Sequence, residues 1–152
     1  MSERAQGFAL FVLRLAGLYL ALGHGLGKVV ALASGDTGFV DAVTKLGFPL
    51  PVVFAWAAAL AEFAGGLLLA LGLLTRIAAF FVAFNMAVAA FLQHHVLSQW
   101  LAAVGLATVP AETLKGWGRP ELAVIYLLVA LTLMVSGGGG WSLDARLRGK
   151  RR

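Results

Sequence analysis

PVVFAWAAALAEFAGGLLLALGLLTRIAAFFVAFNMAVAAFLQHHVL, residues 51–97, decides the fold. It contains two apolar runs, 51–74 and 77–97, separated only by Thr75 and Arg76. Each is long enough to cross roughly 30 Å of hydrocarbon, which takes about 20 residues at 1.5 Å of rise per residue. A two-residue break between such runs predicts a tight antiparallel helical hairpin. Pro51 suits the first turn of its first helix, where a missing N–H costs nothing.

Two further runs of spanning length flank this hairpin, at about 8–32 and 120–136. Between the first and second spans, Gly35, Asp36, Gly38, Asp41, Lys45 and Pro49 supply the turn chemistry of a surface loop. Residues 98–119 are too polar to span, yet Trp100, Leu101, Val104, Leu106 and Trp117 predict a partly helical interfacial segment. Four glycines, Gly137 to Gly140, end the fourth span, and Ser142 is placed to cap a short amphipathic stretch in a basic tail over 141–152. The expected fold is an all-α membrane protein: one transmembrane domain over 1–152, built as a bundle of four transmembrane helices.

Composition agrees. Of 152 residues, 61% are hydrophobic and 12% charged, whereas a soluble domain is about a quarter charged. The expected solvent is a lipid bilayer. The net charge of +5 does not describe a nucleic-acid footprint, because Arg146, Arg148, Lys150, Arg151 and Arg152 hold much of it in the last seven positions. A basic cluster following an apolar span reads as a topology signal beside anionic head groups. There is no cysteine, which excludes disulfides, thiolate metal sites and thiol relays within this chain. The start of the chain imitates a signal peptide, with Arg4, an apolar run and Ala31-Leu32-Ala33. The run is too long for one, and it carries Arg14, His24 and Lys28; it reads as the first span.

Orientation follows from the Lys and Arg outside the spans. One side holds Arg4, Arg76 and the five C-terminal cations; the other holds Lys45, Lys115 and Arg119, with Lys28 at the end of the first span. Both termini are therefore expected in the cytoplasm.

Function has to reside in residues that lipid disfavours. These are Arg14, His24 and Lys28 in the first span, Glu62 in the second, Asn85, Gln93, His94 and His95 in the third, and Glu121 and Tyr126 in the fourth. An ionisable side chain at the bilayer centre costs about 2.5–3.5 kcal/mol on insertion scales, so such groups face a bundle interior or a wet cavity. At about 100° per residue, Arg14, His24 and Lys28 share a face with Gly17, Ala21 and Gly25, a pattern that points toward neighbouring helices. Side chains lean toward the N-terminus of their own helix. With the termini inside, His24 and His94 lean toward Glu62, and Arg14 leans away, toward head groups or a bound anion. His94 and His95 point about 100° apart and cannot face the same point; the sequence leaves open which one faces the interior. Glu121 opens the fourth helix, where the helix dipole favours an acid.

Three readings of this set stand side by side. A Glu62 pair with His24 or Lys28 can be a buried polar tie that fixes helix register. The set can be a site for a small molecule and for protons, since a histidine and a carboxylate taken out of water form a pair that passes a proton. Two histidines and a carboxylate also suit a metal or haem, but no tight ligand spacing supports that reading.

Several motifs occur together in order: Leu13-Arg14-Leu15, His24-Gly25-Leu26-Gly27-Lys28, Glu62 to Gly66 with Leu71 to Arg76, Glu121-Leu122-Ala123 to Tyr126, and Trp141-Ser142-Leu143-Asp144. The ordered set resembles the DoxX family of bacterial membrane proteins over nearly the whole chain. The resemblance implies a four-helix bundle in the bacterial inner membrane, with family polar positions at Arg14, His24, Lys28, Glu62 and Glu121. It also implies a link to redox chemistry, since relatives include a subunit associated with a terminal quinol oxidase and components of a thiosulfate:quinone oxidoreductase. The function expected from the resemblance is a redox-associated membrane subunit, a component of an oxidoreductase without a cofactor motif of its own. A cavity lined by His24, Lys28, Glu62, His94 and Glu121 would bind a quinone or small substrate and relay protons. The alternative is a non-catalytic assembly subunit docked on a partner subunit, or a homo-oligomer.

Overall fold

The computed structural model describes residues 2–149; Lys150, Arg151 and Arg152 of the basic tail lie outside them. The described chain is helical, with no strand among these residues. Helix α1 runs Glu3–Ala33. Ser2 caps its start, the hydroxyl accepting from the Ala5 N–H at 3.3 Å. One widened π turn, Ala21–Gly25, interrupts it. Helix α3, Pro51–Leu71, carries proline in its first turn, and α4, Thr75–Gln93, returns beside it and ends in a second π turn. Helix α7, Glu121–Ser136, is shorter. Helices α1, α3, α4 and α7 pack in a ring in which each neighbour is antiparallel to the next.

The shorter helices fill the two ends. The surface loop expected before α3 is corrected: it contains α2, Gly38–Lys45, packed on α3 with Val43 buried. Phe39, Ala42, Val43 and Leu46 recur at helical spacing, and this apolar face outweighs the turn residues around it. Residues 98–119 hold most of α5, Val96–Ala103, and all of α6, Ala111–Trp117. The tail forms α8, Leu143–Gly149.

Three of the helices, α1, α3 and α4, are long and apolar enough by themselves to cross a bilayer; α6 and α7, bent by 46°, add a fourth if taken together. The surface confirms which solvent they meet. Tyr19, Phe84 and Val135 are 65%, 61% and 75% exposed, while the buried set is rich in alanine. Large apolar side chains outward and small residues inward is the arrangement for packing helices against each other in lipid.

The tightest approach is between α1 and α3. A Cβ on Gly66 would stand 2.5 Å from the Gly17 carbonyl oxygen and 3.0 Å from the Ala21 Cβ; one on Gly17 would stand 2.6 Å from the Gly66 carbonyl. Backbone meets backbone, so neither position has a flexible neighbour to yield. We expect Gly66→Ala to lower stability by about 1–3 kcal/mol, the range for overpacking. Gly27→Ala, where a Cβ meets open space, should be neutral or gain up to about 1 kcal/mol from helix propensity. Unfolding in detergent checks the pair.

Candidate functional site: a carboxylate at the head of an apolar cavity

The ring of helices leaves a cavity of about 480 Å³ between α2, α3 and α4. Phe39, Phe48, Phe54, Phe81 and Phe84 contribute aromatic walls, and Ala57, Ala58 and Ala61 keep the α3 side low. Lys28, Glu62, Asn85, Gln93 and His94 supply its polar groups.

Glu62 is the centre of these. It is 3% exposed, and its Oε1 accepts from Lys28 Nζ at 2.5 Å and from Asn85 Nδ2 at 3.0 Å. Three helices, α1, α3 and α4, thus meet at one oxygen. The other oxygen, Oε2, is buried and has no hydrogen-bond partner among the described residues. Lys28 is more accessible than its partner, and its ammonium lies 4.8 Å from the centre of the Phe39 ring, a cation–π contact that ties α2 to the pair.

His94 lines the same cavity from the end of α4. Its Nδ1 lies 2.6 Å from the Trp117 carbonyl oxygen; the carbonyl can only accept, so Nδ1 carries the proton and Nε2 is left as the acceptor in the neutral ring. His95 turns the chain with φ +49° and lies against the Trp117 ring, centroids 4.5 Å apart. Of the two adjacent histidines, His94 faces the cavity.

The remaining sequence candidates are placed elsewhere. His24, expected beside Glu62, does not line the cavity: its ring packs edge-on to Tyr19 and to Tyr126 of α7, each at 6.2 Å. Gly25 is the residue that meets α3, at the backbone of Phe63 and Glu62; His24, one residue earlier, is turned about 100° away. Glu121 is exposed at the start of α7 and also does not line the cavity. Arg14, expected to reach head groups or an anion, is 1% exposed. Its guanidinium donates to the Ala70 carbonyl at 3.2 Å and the Trp141 carbonyl at 2.7 Å. It therefore joins α1 to the last turn of α3 and to the segment before α8. Among the described residues no group of three or more His, Cys, Asp or Glu is placed to hold a metal ion.

Two participants were not in the expected set. Asn85 was visible only as one polar residue in an apolar helix, and nothing local marked it as a partner of Glu62. Asp144 belongs to the far end of the bundle. Its N–H donates to the Gly72 carbonyl at 2.9 Å, and its carboxylate accepts from the Leu74 and Thr75 N–H groups and the Thr75 hydroxyl at 2.7–2.9 Å. It caps α4 from seventy residues away in sequence. Gly72, at φ +67°, has no alternative here: a Cβ would collide with Arg14 Nη1 and come within 2.6 Å of Ser142.

Fold and site together define a class: a small all-helical, multi-pass membrane protein with an internal carboxylate at the head of an apolar cavity. The chain belongs to the DoxX family, whose signature matches residues 9–95. It is similar to an uncharacterized protein of Haemophilus influenzae, 34% identical over 142 residues that cover 93% of this chain and 92% of that protein. It is also similar to the inner membrane protein YphA of Escherichia coli, at 29% identity and the same coverage. No solved structure matches it.

The Asp144 cap gives a pH signature. Burial opposes its charge, but the Thr75 and Leu74 hydrogen bonds and the Arg148 charge outweigh that and hold the carboxyl below the usual range. A depressed folded value contributes stability that is full above the ordinary aspartate pKa of about 3.9 and is lost as pH falls through the lower folded value. Asp144→Ala should cost about 1–2 kcal/mol near neutral pH, as loss of a helix cap does. It should also remove part of the acid sensitivity seen when unfolding midpoints are measured from pH 7 to pH 3.

Proposed function

We propose that this protein is a redox-associated subunit of the bacterial inner membrane whose cavity binds a quinone or a similarly shaped apolar molecule, with Glu62 and His94 handling protons at its polar groups. The observation that carries this reading is the Glu62 carboxylate, held by Lys28 and Asn85 in a 480 Å³ cavity walled by phenylalanine. Ligand sites of about 300–1,000 Å³ with apolar walls and a few placed polar groups are the usual form of small-molecule recognition. The residues fit a quinone head: flat aromatic walls for the ring, and hydrogen-bonding side chains for its oxygens. A bound quinone would supply the electron chemistry. The chain's own residues would bind and orient it, exclude water, and hold a proton at the Glu62 carboxylate or at His94 Nε2. Inner-membrane residence is supported by the name of the Escherichia coli relative.

The experiment is a binding titration of tetramethylbenzoquinone on purified protein in lipid nanodiscs. Saturable binding is expected for wild type, with loss of at least about tenfold in affinity for Ala58→Phe, which fills the cavity. Absence of saturable binding in wild type removes this reading. The second reading is a non-catalytic assembly subunit; the meeting of three helices at one Glu62 oxygen favours it, since such a tie also fixes packing. In that case Glu62→Gln lowers stability and leaves the activity of a copurifying partner complex unchanged once assembled.

We also place both termini in the cytoplasm. The N-terminus of α1, the α3–α4 turn with Arg76, and α8 with Arg146 and Arg148 lie at one end of the bundle, opposite Lys45, Lys115 and Arg119, and lysine and arginine favour the cytoplasmic side. The chain has no cysteine, so single introduced cysteines report cleanly. Arg4→Cys and Arg148→Cys should resist a membrane-impermeant maleimide in intact spheroplasts, and Lys45→Cys should react.

A further inference from the structure

The polar groups of the cavity are not equivalent, and their inventory says which kind of ligand atom they lack. Every donor at Glu62 has an outlet. Lys28 gives one hydrogen to Oε1, faces the Phe39 ring, and its side chain keeps 31% of its exposure. Asn85 donates to the same oxygen. His94 spends its Nδ1 proton on the Trp117 carbonyl. Gln93 is exposed. The group left over is an acceptor, Glu62 Oε2, sealed from solvent and without a partner among the described residues. Leaving a buried charged acceptor unmatched is costly, and a ligand that matches it regains that cost on binding. A carbonyl oxygen does not, because it can only accept.

We infer that the cavity selects a ligand presenting a hydroxyl donor to Glu62 Oε2, so that among quinone-class molecules it prefers the reduced hydroquinone over the oxidised quinone. This rests on the quinone-class reading above and adds the redox state to it. No electron or proton need move for the preference to exist; it is a matter of donors and acceptors in the bound ground state. The preference has a physiological meaning of its own. A subunit that holds the reduced form draws product from an enzyme that reduces quinone, or presents substrate to one that oxidises hydroquinone.

The test compares three probes of nearly the same shape on wild-type protein in nanodiscs under anaerobic conditions: tetramethylhydroquinone, tetramethylbenzoquinone, and the dimethyl ether of the hydroquinone, which keeps the ring and loses both donors. The hydroquinone is expected to bind about tenfold or more tightly than either of the others, the scale of one charge-assisted hydrogen bond. In Glu62→Gln an amide NH₂ replaces Oε2, a donor where there was an acceptor, so the order of hydroquinone and quinone should invert. A substitution that merely loosened the fold would weaken both alike. Saturable but equal binding of all three probes by wild type overturns the inference and leaves the quinone-class reading standing. No saturable binding of any probe overturns both. The wild-type comparison decides the matter even if Glu62→Gln fails to fold.

Discussion

The rest of the structure depends on how closely α1 approaches α3. Gly17, Ala21 and Gly25 on one helix face Gly66, Phe63 and Glu62 on the other, with nothing larger than a methyl group between backbones. Spaced by four, these small residues would drift about 40° per step around a regular α-helix. The π turn at Ala21–Gly25 turns less per residue and returns Gly25 to the contact. Only because the crossing is that close does Lys28, one turn beyond, reach the Glu62 carboxylate. In lipid the hydrophobic effect does not press helices together, so steric fit of small residues and polar ties across the gap must supply the cohesion.

Those ties are divided between the two ends. At one end Glu62 gathers Lys28 and Asn85; at the other, Arg14 and Asp144 anchor the tail to the α3–α4 turn. A buried guanidinium is tolerable because two backbone carbonyls receive it and the Asp144 charge acts on it. The two clusters differ in completeness. The tail end satisfies the Asp144 carboxylate with three donors, whereas the cavity end leaves one carboxylate oxygen open. This difference separates a lock from a candidate binding site more clearly than residue type does, since both clusters are built from the same kinds of side chain.

Much of this was legible in the sequence, and the limits have identifiable causes. The helices showed in long apolar runs around Thr75-Arg76, because hydropathy is a local property. Glu62, Lys28 and His94 stood out because ionisable groups in lipid are rare. His24 was grouped with them by counting 100° per residue through a segment where a π turn breaks that count. Helix α2 was obscured by the glycines and aspartates around it, although Phe39, Val43 and Leu46 carried the period. Arg14 was assigned to head groups by the lean of its side chain, and only the tertiary return of Trp141 supplies its buried acceptor. Asn85 and Asp144 act on residues far along the chain, which no window of sequence can display.

The π turn in α1 carries a consequence for the gene as well as for the protein. In structural terms it is one extra residue accommodated within a helix. Deleting any single codon from 21 to 25 would let the segment close into regular α-helix, rotating everything downstream by about 100° relative to everything upstream. Lys28 would leave Glu62 although neither residue had changed. Codon deletions here should therefore be far less tolerated than most substitutions at the same positions, and the helix phase is itself an inherited trait of the site.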